Sequence, residues 1–233
     1  MSVGNGFNYS LPSPLQGRPI STEEAERRLL ERLARTQAEY RDALWGLAVF
    51  YSRTGRQPAA LGALERLLAF TQDPEEQAGV TLALGQLMEQ IGDYEAAIGF
   101  YRRGLALEPA STPTWYLINN NLGYCLNHFE RFQEAEACCR SAIQIDPVRH
   151  NAYKNLGVAR AGLGQYAEAA QLFIQATRAQ AADGRALGLL EQLYAEQPQI
   201  ALEIPDIERQ IQQCREAVQA VEQLRGQDPN RPG

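Results

Sequence analysis

The chain is almost without lysine. Lys154 is the only lysine among its 22 basic side chains, and the rest are arginines. This preference for arginine is as well explained by genomic composition as by function. Acidic residues number 28, giving a net charge of −6. Such a balance favours solubility and excludes the broad basic footprint of a nucleic-acid binder. Long apolar runs are also missing. No stretch of about 18 apolar residues occurs, so no membrane-inserted helix is expected. The first 19 residues, rich in Gly, Asn, Ser and Pro, have neither a basic start nor an apolar run. They do not read as a secretory signal, and a cytoplasmic location is expected.

Groups that carry chemistry are scarce too. The four cysteines are Cys125, Cys138, Cys139 and Cys214, with no C-x-x-C pair among them. They are expected to be reduced and mostly buried. A zinc set of Cys125, His128 and Cys138 or Cys139 lacks the ligand spacing of structural sites, so no metal is expected. The two histidines are His128 and His150. There is no P-loop, nucleophile elbow or dinucleotide fingerprint. No cofactor is implied, and the chain is not expected to be an enzyme.

What is present is repetition. Three segments align: 85–109, 123–147 and 157–181, beginning at Leu84-Gly85, Leu122-Gly123 and Leu156-Gly157. Twelve residues after each glycine stands an alanine: Ala97, Ala135, Ala169. Four later comes a larger residue (Tyr101, Cys139, Phe173), and three after that a small one (Gly104, Ala142, Ala176). Leu84 and Leu122 are 38 residues apart, and Leu122 and Leu156 are 34 apart. The first two segments close on Glu108-Pro109 and Asp146-Pro147, whereas the third has Ala181 where the proline would be.

This pattern resembles the tetratricopeptide repeat (TPR), L-G-x2-Y…A-x3-F…P. The resemblance implies an all-α fold, a right-handed TPR α-solenoid of antiparallel helix pairs. Small residues at the glycine and alanine positions let paired helices approach closely. Gly92 and Gly164 supply turns, while Glu130-Arg131-Phe132 takes that place in the middle unit without a glycine. Tyr94, Phe132 and Tyr166 are expected to cover the bends. The extra residues around Asp73-Pro74 and Thr112-Pro113 predict longer first helices rather than loops.

The domain reading is as follows. Residues 1–20 are a disordered segment and 21–225 a single solenoid domain, with a flexible tail at 226–233. Within the domain, an N-terminal helix covers 22–40. It is expected to run into the first repeat, continuously or with a kink near Thr36 to Ala38. Repeats follow at about 41–74, 75–111, 113–149 and 150–183, with a degenerate unit at 184–204 broken around Pro198 and Pro205. A C-terminal helix at 205–225 carries Ile207, Ile211, Cys214, Val218 and Val221 on one face. It is expected to cap the last repeat, with self-association or occupation of the groove as alternatives.

The resemblance also implies a function: binding an extended or helical segment of another protein in a concave groove lined by the first helices. The alternative is a self-assembling scaffold, a homo-oligomer joined through the terminal helices. Groove-facing candidates are Asn120, Asn121, Tyr124, Lys154, Asn155 and Arg185, with Gln86 and Trp45 further upstream. Leu82 and Ala83 fall on the same face by alignment. Asn121 and Asn155 each precede a Leu-Gly pair, one repeat apart. In peptide-binding members an asparagine there bonds the ligand backbone. The family's clamp for a C-terminal carboxylate, with two lysines, two asparagines and an arginine, is not reproduced. Asn120, Tyr124 and Leu189 stand at three of its positions, with Arg185 in place of a lysine.

Overall fold

The computed structural model describes residues 21–32, 37–110 and 112–226. The segments expected to be disordered or flexible at the two ends lie outside these, apart from Gly226, which ends the last helix. Every regular element among the described residues is a helix. The chain forms two compact units, residues 1–114 and 115–233.

Unit 1 holds α1 (Thr22–Arg32), α2 (Gln37–Arg53), α3 (Gln57–Phe70), α4 (Pro74–Ile91) and α5 (Tyr94–Leu105). The helix expected over 22–40 is not one element. Tyr51 Oη donates to Glu26 at 2.7 Å, and Arg56 Nη1 reaches the other oxygen of the same carboxylate at 2.7 Å. In a continuous helix, residues 26 and 51 would stand about 37 Å apart. The chain therefore reverses between α1 and α2. Ala25 and Leu29 of α1 are buried, Leu29 lying over Gly46 of α2. The reversal is favourable because it covers an apolar stripe that a lone amphipathic helix leaves in water. Asp73 caps α4 by accepting from the Glu76 N–H at 3.2 Å, and Pro74 occupies the first turn, where no N–H is needed.

Unit 2 holds most of α6 (Thr112–His128), then α7 (Phe132–Ile145), α8 (His150–Gly162), α9 (Tyr166–Ala179), α10 (Arg185–Glu196), the short α11 (Ile200–Glu203) and α12 (Ile207–Gly226). The two first helices with inserted residues are long, 18 residues in α4 and 17 in α6, against 13 in α8.

Within each pair the glycine of the Leu-Gly motif is a socket. A Cβ on Gly157 would lie 2.6 Å from the ring of Phe173, and one on Gly123 would lie 2.6 Å from Cys139 Sγ. In unit 1, Gly85 receives Tyr101 in the same way. The alanines Ala97, Ala135 and Ala169 are fully buried. Phe132, at the start of α7, fits against Gly162 of α8.

The first helices end alike. Gly55, Gly92 and Gly164 have φ of 73°, 83° and 76°, and Glu130 takes φ 57° at the matching place. The next N–H then bonds the carbonyl five residues back, as in Asp93 to Met88 at 2.9 Å and Arg131 to Leu126 at 3.0 Å. The middle unit thus makes the same left-handed turn with a residue that pays a steric penalty for it.

The C-terminal helix packs inside unit 2. Ile207, Ile211, Cys214 and Val218 are buried with Phe173 and Ile174 of α9 and Leu187 and Leu190 of α10. Arg215 pairs with Glu191 at 2.5 Å, and Arg225 Nη1 donates to the Ala182 carbonyl at 3.1 Å. The helix stands as the second member of the last pair, so its apolar face is not available to a second copy. Pro198 and Pro205 flank α11, where the expected break falls. Cys125, Cys139 and Cys214 are buried and Cys138 is half-buried, all four unbridged. Burial pushes the Cys139 and Cys214 thiols up.

Candidate functional site

The first helices of unit 2 are tied side by side through amides. Asn155 of α8 donates from Nδ2 to Asn120 of α6, at 3.1 Å to Oδ1 and 3.3 Å to the backbone carbonyl. Asn120 in turn donates to Asn121 Oδ1 at 3.0 Å. Asn127 donates to the Asn155 carbonyl at 2.8 Å. Asn120, Asn121 and Asn155 are all buried. The family resemblance implies that Asn121 and Asn155 face a ligand. The structure shows that the donor side of Asn155 also bonds a neighbouring helix.

A charged cluster sits at the N-terminal ends of α8 and α10. Asp183, in the turn before α10, accepts from Arg185 Nε at 2.7 Å and Nη2 at 2.6 Å, and pairs with His150 Nε2 at 3.0 Å. Burial alone would raise the Asp183 carboxyl, but the hydrogen bonds from Arg185 and His150 outweigh it and hold it well below the usual carboxylate range. Lys154, one turn into α8, is only 9% exposed. Burial first, then repulsion from Arg185, depresses its ammonium to about 8, partly offset by Asp183. Among the described residues none hydrogen-bonds or ion-pairs with Lys154. Tyr124 of α6 is 40% exposed.

Six of the sequence-derived candidates therefore fall on α6, α8 and α10 of unit 2: Asn120, Asn121, Tyr124, Lys154, Asn155 and Arg185. Gln86 and Trp45 belong to unit 1. Gln86 is buried with no partner for its Oε1 among the described residues, and Trp45 of α2 is half-buried. Leu82 and Ala83 are not on an open face; both are fully buried. Asp183 and His150 were not singled out as site residues. The signal for them lay in the Asp183-Gly184 turn ahead of α10 and in His150 at the corresponding start of α8. Arg160 was missed as well. Its side chain, 10% exposed, reaches Glu136 of α7 at 2.7 Å and Glu168 of α9 at 3.3 Å, joining α8 to both second helices.

Among the described residues no group of three or more His, Cys, Asp or Glu is placed to hold a metal ion. None of the described helices is long and apolar enough to cross a membrane. The arrangement offers amides, one exposed phenol and two cations on adjacent helices, which suits recognition of a polar chain.

Comparison with known proteins agrees with this architecture. Family models described as tetratricopeptide repeat match residues 22–76, 78–120 and 116–149. The tetratricopeptide repeat-containing protein trd-1 of Caenorhabditis elegans is 31% identical over 96 residues, 41% of this chain and 12% of that protein. The peroxisomal targeting signal receptor of Eremothecium gossypii is 32% identical over 114 residues, 49% of this chain and 19% of the receptor. The chain thus spans less than a fifth of either relative. The crystal structure of BtubC from P. vanneervenii superposes with a TM-score of 0.65 at 20% identity, covering 91% of each chain. Tandem family matches from residue 22 to residue 149, which include the socket glycines Gly85 and Gly123, make this all-α chain a member of the tetratricopeptide-repeat family.

Proposed function

We propose that the chain is a protein-interaction module whose unit 2 holds an extended segment of a partner across α6, α8 and α10. Tyr124 packs on the segment. Asn120, Asn121 and Asn155 offer amide groups to its backbone, and Lys154 and Arg185 receive an acidic group. The observation that carries the reading is Lys154, a buried lysine whose neighbouring acid, Asp183, is already bonded to Arg185 and His150. Burying an unpaired charge is costly, and an anionic group from a partner relieves that cost. The Eremothecium relative is named as a receptor for a targeting signal, which fits recognition of a peptide segment.

The module is read as a binder, not a catalyst, acting in the cytoplasm with its thiols reduced. A homo-oligomer joined through the C-terminal helix has no comparable support, because the apolar face of α12 is buried within unit 2. The test is a titration of fluorescent decapeptides, one acidic set and one with the charges reversed. Wild-type protein should prefer the acidic set. Tyr124→Ala should weaken binding about tenfold, the effect of losing a typical interface aromatic. Arg185→Gln should flatten the salt dependence. Equal binding of both sets, unchanged in a Tyr124→Ala/Arg185→Gln variant that remains helical, would remove the groove from consideration.

A further inference from the structure

The link between α1 and α2 holds none of the residues that favour a chain reversal. Residues 33–36 read Leu-Ala-Arg-Thr, and from Thr22 to Arg53 there is no proline and no glycine except Gly46. Leucine, alanine and arginine are strong helix formers, whereas reversals draw on Gly, Pro, Asn, Asp and Ser. The reversals after α2 and α4 follow that rule, at Gly55 and at Gly92-Asp93. Local preference over residues 22–53 is therefore for one helix, and the fold-back after α1 is imposed by burial of Ala25 and Leu29.

The contacts that hold α1 run in opposite directions along the two helices. Leu29 lies over Gly46, where an added Cβ would come within 3.2 Å of its side chain. Three residues earlier in α1, Glu26 accepts from Tyr51 and from Arg56, each at 2.7 Å, and the Arg56 guanidinium lies 4.4 Å over the Tyr51 ring. This pairing is antiparallel, and every copy of the chain carries both of its sides. An antiparallel pairing suits a two-fold axis, about which each copy offers its α1 to the other's α2.

We propose that the surface of α2 beneath α1 is an interface between two copies of this chain, each α1 leaving its own α2 to cover that of the other. In the exchanged dimer residues 22–53 run as one helix, as the link prefers, and the two-fold axis falls near the start of α2. Ala25 and Leu29 stay buried, and the Glu26, Tyr51 and Arg56 contacts form twice, each time between copies. The monomer itself shows what the surface takes: an amphipathic helix with a small residue, an acid and a leucine on one face. Tethering gives α1 a high effective concentration at its own α2, so the monomer prevails in dilute solution and the dimer in concentrated solution. The interface lies within unit 1 and does not depend on the groove proposed for unit 2.

Sedimentation equilibrium of the full chain over a wide range of concentration tests the proposal. Wild type should pass from monomer to dimer as concentration rises. Ala34→Gly/Arg35→Gly disfavours the continuous helix while easing the reversal, and should weaken the dimer at least about tenfold. Glu26→Arg and Arg56→Glu each set like charges together within one chain. Mixed, they bring opposite charges together at both sites of a heterodimer, so the mixture should associate more strongly than either variant alone. Wild type that stays monomeric at every concentration, a dimer indifferent to the two glycines, or a mixture that associates no better than its components would overturn the proposal.

Discussion

Asn155 and Asn120, 35 positions apart, join two successive first helices through an amide nitrogen 3.1 Å from an amide oxygen. Removing the donor strands a buried acceptor, which costs about 1–3 kcal/mol. Asn155→Ala is therefore expected to lower stability by about that much, measured by urea unfolding of unit 2 signals. Wild-type stability would show that the bond contributes nothing. The substitution is for the same reason a poor probe of ligand binding, because it disturbs the array before any partner arrives. Tyr124 and Arg185, both more open to solvent, are the cleaner positions.

The socket at Gly157 gives a second test. Alanine there is expected to collide with Phe173, whose ring lies 2.6 Å from the added carbon, and to cost about 1–3 kcal/mol. Phe173→Leu in the same chain should recover part of the loss, since it withdraws the ring. Additive losses in the double variant, read from thermal or denaturant melts, would mean that the two residues do not share one space.

Glu130 offers the opposite sign. It holds φ 57° where the neighbouring units have glycine. Relief of the left-handed penalty, about 1–2 kcal/mol, outweighs the added freedom of the unfolded chain, about 0.5–1 kcal/mol. Glu130→Gly should raise stability by up to about 1 kcal/mol, whereas Gly164→Ala should lower it. The two variants compared side by side in guanidinium decide the matter.

Lys154 sets a pH dependence in the alkaline range. Its folded value is near 8, below the 10.5 of an ordinary lysine. Below pH 8 both states carry the proton and the fold bears the full penalty of a buried charge. Between the two values the folded state releases its proton first. Stability then rises with pH, because the unfolded state binds more protons. The shift corresponds to a penalty of about 3 kcal/mol. Lys154→Met is expected to stabilise the protein at pH 7 and to abolish the rise between pH 8 and 10.5. Asp183 acts at the acid end. Its depressed carboxyl contributes stability above the ordinary aspartate range, and this is lost as pH falls through the folded value. Asp183→Asn should flatten the acid limb of the same profile.

The helix pairs were legible because their determinants are close in sequence. A glycine and the side chain that fills its socket are 16 residues apart in all three central units. The reversal after α1 was not legible. An amphipathic pattern states which face is buried but not against what, and α1 buries its stripe on α2 rather than extending it. The asparagines illustrate the same limit at the site. Their one-repeat spacing placed them on the first helices, but it did not show that adjacent first helices lie near enough for the Asn155 amide to bond Asn120. The Asp183 cluster depends on a contact over 33 positions with His150, which no local motif encodes.

The cysteines have a practical consequence. All four lie in residues 115–233, and three of them are buried. A thiol reagent can reach those three only when the packing around them opens. Pulse labelling would therefore time the breathing of unit 2 alone, with half-buried Cys138 as an internal reference for reagent access. Because Cys214 sits on α12 and Cys125 and Cys139 on the α6–α7 pair, the order in which they label would reveal whether unit 2 frays from its final helix or opens from within.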